Sequence, residues 1–118
     1  MLGESIANLE SLRAIPRRCR LKVFEGWNCR FLGEIFLNLG GSHVAEAEYW
    51  IQKAIEADEK NGMRFYLGKD HALYGNFFKR QGDRPHAQEE LGKAIEILRD
   101  CGADGWVRKY EEEMAKLT

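Results

Sequence analysis

Apolar side chains recur every three or four positions along most of the chain, and the rhythm breaks at glycine- and proline-containing turns. Leu2, Ile6, Leu9 and Leu12 put one apolar face on a helix over residues 2–13. Pro16 ends it, because the residue before a proline is driven out of the α region. The spacing then predicts a helix over 17–39 with Leu21, Phe24, Asn28, Phe31, Ile35 and Leu39 as its stripe and Leu32 and Phe36 beside it. Gly40 is expected to close that helix in the left-handed conformation, with Ser42 as N-cap of the next. A helix over 43–61 follows, its inner stripe being Val44, Ala47, Ile51, Ala54, Ile55 and Asp58. After Asn61 and Gly62 a helix over 63–81 is predicted. Gly82 and Asp83 lead to another over 84–101, with Asp83 as N-cap, Pro85 in the first turn, and Ala87, Leu91, Ala94, Ile95 and Leu98 facing inward. The last predicted helix, 103–117, turns Trp106, Val107, Tyr110, Met114 and Leu117 to one side. It closes the stack as a cap.

Glycines form a second pattern inside these helices. Gly26, Gly33 and Gly40 each stand 42 residues before a counterpart, Gly68, Gly75 and Gly82. A glycine within a helix costs up to about 1 kcal/mol relative to alanine, so pairs spaced seven apart on one side of a helix point to the close approach of another helix. The following helices match as well: Lys53-Ala54-Ile55-Glu56 is repeated as Lys93-Ala94-Ile95-Glu96, at an offset of 40. The first copy therefore has the longer turn, at 41–44. A duplicated pair of antiparallel helices is expected.

Composition narrows the function classes. The chain has 118 residues, 44% apolar and 31% charged, with a formal net charge of −1. These values suit one globular all-α domain over 1–118. They carry no strong electrostatic footprint for nucleic acid. No apolar run nears the ~20 residues a membrane span needs, and the first residues lack the basic-then-apolar order of a secretory leader. Neither a nucleic-acid nor a membrane partner is expected. Cys19, Cys29 and Cys101 are odd in number and irregular in spacing, so no disulfide framework is expected, and a reducing cytoplasm is the simplest location.

The pattern of large apolar residue, glycine, aromatic, then alanine, large apolar residue, alanine resembles the tetratricopeptide repeat, a helix-turn-helix unit of about 34 residues. It is met by Tyr74, Gly75, Phe78, Ala87, Leu91 and Ala94, and by Leu32, Gly33, Phe36, Ala47, Ile51 and Ala54. The period here is longer, which extends the first helix of each unit, and the tryptophan of the family pattern is not kept. Residues 101–111 further resemble the ends of repeat tails in bacterial multidomain signalling ATPases and cyclase-like proteins. The resemblance implies an α-solenoid of about six helices and a non-enzymatic protein-binding or scaffold role. The first helices of each unit would line a concave groove. Trp27, Arg30, Glu34, Asn38, Lys69, Asn76, Lys79 and Arg80 are the candidates for that groove. Its slightly basic character suits an acidic peptide or a chain-terminal carboxylate. The family's clamp of a cation with asparagine one turn later is split here. An alternative is self-association, or a regulatory scaffold segment of a larger signalling protein, through an uncapped edge formed by Leu2, Ile6, Leu9 and Leu12.

No catalytic, cofactor or metal constellation is expected. His43, His71 and His86 share no ligand spacing and read as turn and surface histidines. The cysteines read as small buried apolar residues. Glu89, Glu90 and Glu111 to Glu113 sit on predicted solvent faces, within helical reach of Lys93 and Lys116. The glycine ladder lies inside helices, with no strand before it, and is not a phosphate loop.

Overall fold

The computed structural model describes residues 22–117, and every regular element among them is helical. α1 is Lys22–Leu39, α2 Val44–Lys60, α3 Arg64–Arg80, α4 Arg84–Asp100 and α5 Asp104–Leu117. The helix predicted over 2–13, with Leu2, Ile6, Leu9, Leu12 and the turn at Pro16, lies outside the described residues.

The observed bounds fall within a residue or so of those expected for α2 to α5, but the entrance to α2 differs. Gly40 and Gly41 both have positive φ, 63° and 56°, and Gly41–His43 is a short 3-10 turn. Two left-handed residues in succession suit glycine alone among the common residues. They absorb the longer turn of the first copy and place Ser42 inside the 3-10 turn. The N-cap position of α2 is His43, which makes no side-chain capping bond. At α4 the Asp83 carboxylate accepts from the His86 backbone N–H at 3.3 Å, with Pro85 in the first turn.

The helices pack as antiparallel pairs, α1 with α2 and α3 with α4, and α5 lies against α4. At the first crossing Gly26 faces Asp58 and Gly33 faces Ile51; at the second Gly68 faces Leu98 and Gly75 faces Leu91. The partner positions stand 40 residues apart, so both pairs cross at corresponding places. Ala47, Ala54, Ala87 and Ala94 are fully buried beside these contacts. Small residues on both sides bring the backbones together, and Leu32, Phe36, Ile51 and Leu98 fill the space around them. One core cluster joins α1 and α2 to Phe77 of α3, and a second joins α3, α4 and α5. Tyr74 ties α3 to α2, its hydroxyl donating to Glu48 and accepting from Gln52, each at 2.9 Å.

Gly92 has a different environment. A Cβ there would meet only Met114 Cε, at 3.7 Å. Gly92→Ala is therefore expected to stabilise the chain by about 0.5–1 kcal/mol, seen as a higher denaturant midpoint with an unchanged slope.

The stripe of helical spacing read along α1 is its outer one, and the residues beside that stripe face the core. Phe24, Phe31 and Leu39 are each about half exposed, whereas Gly26, Cys29, Leu32, Gly33, Phe36 and Leu37 are buried. α1 is apolar on two faces, and periodicity alone does not say which face meets the core. The glycines decide it, because they allow α2 to approach on their side.

Candidate functional site

A cleft of about 360 Å³ opens between α1, α3 and α5, with Leu91 of α4 at its floor. α1 supplies Arg30 and Glu34, one turn apart. α3 supplies Lys69, Asn76 and Lys79, and α5 supplies Trp106, Lys109, Tyr110 and Glu113. Four cations thus meet two carboxylates around an aromatic wall.

Three of the cations, Arg30, Lys69 and Lys109, lie against aromatic rings. Lys69 Nζ lies 3.1 Å from the centroid of the Trp106 ring, and Lys109 Nζ is 5.0 Å from the same centroid. Trp106 in turn stacks on Tyr110 at 6.0 Å. The Arg30 guanidinium lies 5.4 Å from the Tyr66 ring centroid. Burial, together with the charges of Arg30 and Lys109, pulls the Lys69 ammonium down to about 8, against a smaller opposing pull from Glu34. Burial pushes the Tyr110 phenol up to about 12. The phenol therefore serves the cleft as a neutral hydrogen-bonding group. An anion entering the cleft would relieve the crowding of positive charge and restore Lys69 as a full cation.

Of the residues expected to line a groove, Arg30, Glu34, Lys69, Asn76 and Lys79 meet here. The other three lie elsewhere. Trp27 is 44% exposed and stacks on Phe31, with centroids 5.9 Å apart. Asn38 is exposed near the end of α1. Arg80 donates to the Leu37 carbonyl at 3.2 Å, satisfying an otherwise open acceptor in the last turn of α1. Trp106, Lys109, Tyr110 and Glu113 were not expected in the cleft, since α5 carries no glycine pair and reads as a cap.

Behind the cleft lies a buried acidic junction. Asp58 of α2 and Asp70 of α3 are wholly inaccessible to solvent. Among the described residues their four carboxylate oxygens have no hydrogen-bond partner of good geometry, and the Nε of Arg30 is 3.9 Å from Asp70 Oδ1. Burial raises both pKa values, most of all that of Asp70. The neighbouring Asp58 carboxyl raises Asp70 further, and Arg30 opposes the shift at both residues. Two acids in one dry junction keep a proton between them. Gly26 makes room for Asp58, since a Cβ at that position would overlap its carboxyl.

Several polar residues sit otherwise than expected. His71 is no surface histidine: its Nδ1 lies 2.6 Å from the buried carboxylate of Glu90, between α3 and α4. Burial acts to raise the Glu90 pKa, but the His71 bond and charge, with Lys93, outweigh it and leave it lowered. His43 faces Phe36, and His86 both pairs with Asp83 at 2.6 Å and stacks on Phe78. Cys29 is buried, and loss of water pushes its thiol up to about 12, but Cys101 is exposed at the end of α4. Cys19 lies outside the described residues. Among the described residues no three His, Cys, Asp or Glu side chains group to hold a metal ion, and no described helix is long and apolar enough to cross a membrane. No known family, curated protein or solved structure matches the chain.

Proposed function

We propose that the chain is a tetratricopeptide-like α-solenoid domain, a protein-binding module without catalytic activity, and that the cleft between α1, α3 and α5 receives an acidic segment of a partner protein. The convergence of Arg30, Lys69, Lys79 and Lys109 on one aromatic-walled cleft carries the reading. Stacked helix pairs leave such a surface preformed, so binding costs little ordering of the receptor. Trp106 and Tyr110 offer apolar area to the stem of an acidic side chain, the cations take its carboxylate, and Asn76 supplies an amide for the partner backbone. A cytoplasmic location, and a place as a scaffold segment of a larger signalling protein, fit the same reading.

The test is a peptide array in which each glutamate- and aspartate-rich sequence is paired with its glutamine and asparagine counterpart. The acidic member of a pair is expected to bind at least tenfold more tightly, less so at high salt. Lys69→Glu/Lys109→Glu should abolish the preference with the helical signal unchanged. Affinity should also fall as pH rises through about 8, where Lys69 loses its proton. Equal binding of acidic and neutral peptides would remove the proposal.

A further inference from the structure

Lys69 shares its cleft with three other cations, Arg30, Lys79 and Lys109. Its Nζ rests 3.1 Å from the centroid of the Trp106 ring, and Lys109 Nζ approaches the same centroid to 5.0 Å, so two ammonium groups share one indole. Among the described residues no carboxylate forms an ion pair with Lys69. The charged and titratable groups around it are Arg30 and Glu34 from α1, Lys79 from its own helix, and Lys109, Tyr110 and Glu113 from α5. An amine partly withdrawn from water beside other cations, with no carboxylate paired to it, gives up its proton readily and becomes a nucleophile. Burial and the charges of Arg30 and Lys109 bring Lys69 down to about 8. Its neutral fraction at pH 7 is then on the order of a hundredfold that of an ordinary lysine.

We propose that Lys69 is a covalent docking site for a small carbonyl compound bearing a carboxylate, an aldehyde acid or 2-oxo acid, held as an imine. The Lys69 nitrogen adds to the carbonyl carbon, and one of its protons passes to the carbonyl oxygen to give a carbinolamine. The second nitrogen proton then leaves with the hydroxyl as water, and a C=N bond replaces C=O. No oxidant or reductant takes part. The other cations of the cleft set the class of compound. Arg30 can take a carboxylate in a two-pronged bond, and Lys79 and Lys109 add positive charge beside it. Their hold on the carboxylate keeps it off Lys69, which stays a neutral amine. The Asn76 amide and the neutral Tyr110 phenol line the same space and can donate to the carbonyl oxygen as it gains charge. The volume of about 360 Å³ is that of a small-molecule site. This inference shares the cleft with the proposed function but needs no acidic segment, so either can fail alone.

Brief exposure of the full chain to glyoxylate, followed by borohydride, tests it. Borohydride adds hydride to the imine and fixes it as a secondary amine that peptide mass spectrometry can locate. At pH 7 and limiting glyoxylate, Lys69 is expected to label at least tenfold faster than any other lysine. Its labelling should pass through half-maximum near pH 8, whereas the other lysines are still rising at about pH 9. Lys109→Gln, at an exposed position, should slow Lys69 at pH 7 and move that half-maximum upward, with the helical circular dichroism unchanged. Lys69→Arg should lose the fast adduct, and no other lysine should take its place. Propionaldehyde, which lacks the carboxylate, should favour Lys69 by a smaller factor. Labelling of Lys69 at the pace of the other lysines in the folded parent would overturn the inference. A preference for Lys69 that propionaldehyde shows equally, or a half-maximum indifferent to Lys109→Gln, would overturn it as well.

Discussion

Gly75→Leu is expected to unfold the α3–α4 pair under conditions where the parent is folded. A Cβ at Gly75 already stands 2.9 Å from Leu91 Cγ and 3.3 Å from the Ala87 carbonyl oxygen. The second of these is backbone and cannot swing aside. Overpacking a core costs about 1–3 kcal/mol when neighbours relax. A whole leucine side chain driven against a helix backbone exceeds that range, in a domain whose total stability is on the order of 5–15 kcal/mol. Gly33→Leu should behave alike, since its Cβ would stand 2.7 Å from Ile51 Cγ1 and 3.2 Å from the Ile51 backbone nitrogen. The alanine variants are the graded control. Alanine gains up to about 1 kcal/mol of helix propensity at any interior glycine, so a net loss at positions 33 and 75 beside a gain at position 92 isolates the crossing. Chemical denaturation with circular dichroism reads all of these. A Gly75→Leu variant with the parent's midpoint would mean that the helices do not meet there.

Asp58→Leu is expected to stabilise the chain at neutral and alkaline pH, by about 1–4 kcal/mol, in the way that replacing buried ionic groups with apolar ones often does. The second crossing already shows the alternative, because Leu98 occupies the position corresponding to Asp58 and faces Gly68 as Asp58 faces Gly26. The pH dependence has a definite sign. Asp58 and Asp70 have raised pKa values in the folded chain, so between the ordinary carboxyl range near 4 and the raised values the folded state holds more protons than the unfolded state. Their contribution to stability is full below about pH 4 and is lost as pH rises. Glu90, with its lowered pKa, works the opposite way, and its contribution is lost as pH falls. The difference between Asp58→Leu and the parent cancels that background. The gap should widen from acid to neutral pH. Asp70 then keeps Arg30 as a close counter-charge. A gap that stayed constant with pH would show that the junction does not hold a proton.

The helical pairs were legible because their crossings are written in small residues. Glycine and alanine at matching spacings have no other economical use inside helices, so the crossings and the inner faces of α2 and α4 followed from them, while the helix bounds followed from the glycine- and proline-containing turns. The inner face of α1 did not, because Phe24, Phe31 and Leu39 keep helical spacing as faithfully as Leu32 and Phe36 do. Buried polar residues were equally hidden. Asp70, His71 and Glu90 look like solvent-facing positions until the neighbouring helix is placed, since only a tertiary partner makes their burial tolerable. The cleft was half legible. Arg30, Lys69 and Asn76 follow from the resemblance. Trp106 and Lys109 depend on where α5 docks, and no repeated motif marks that docking.

The most direct test of the cleft as a binding surface is a solution NMR titration of the full chain with the tightest acidic peptide from the array. Chemical-shift changes are expected to concentrate at Arg30, Lys69, Asn76, Trp106 and Lys109, where α1, α3 and α5 face one another, with the outer face of α1 unmoved. Changes centred on any other surface, or saturable binding that leaves the Trp106 indole and Lys69 resonances where they were, would contradict it.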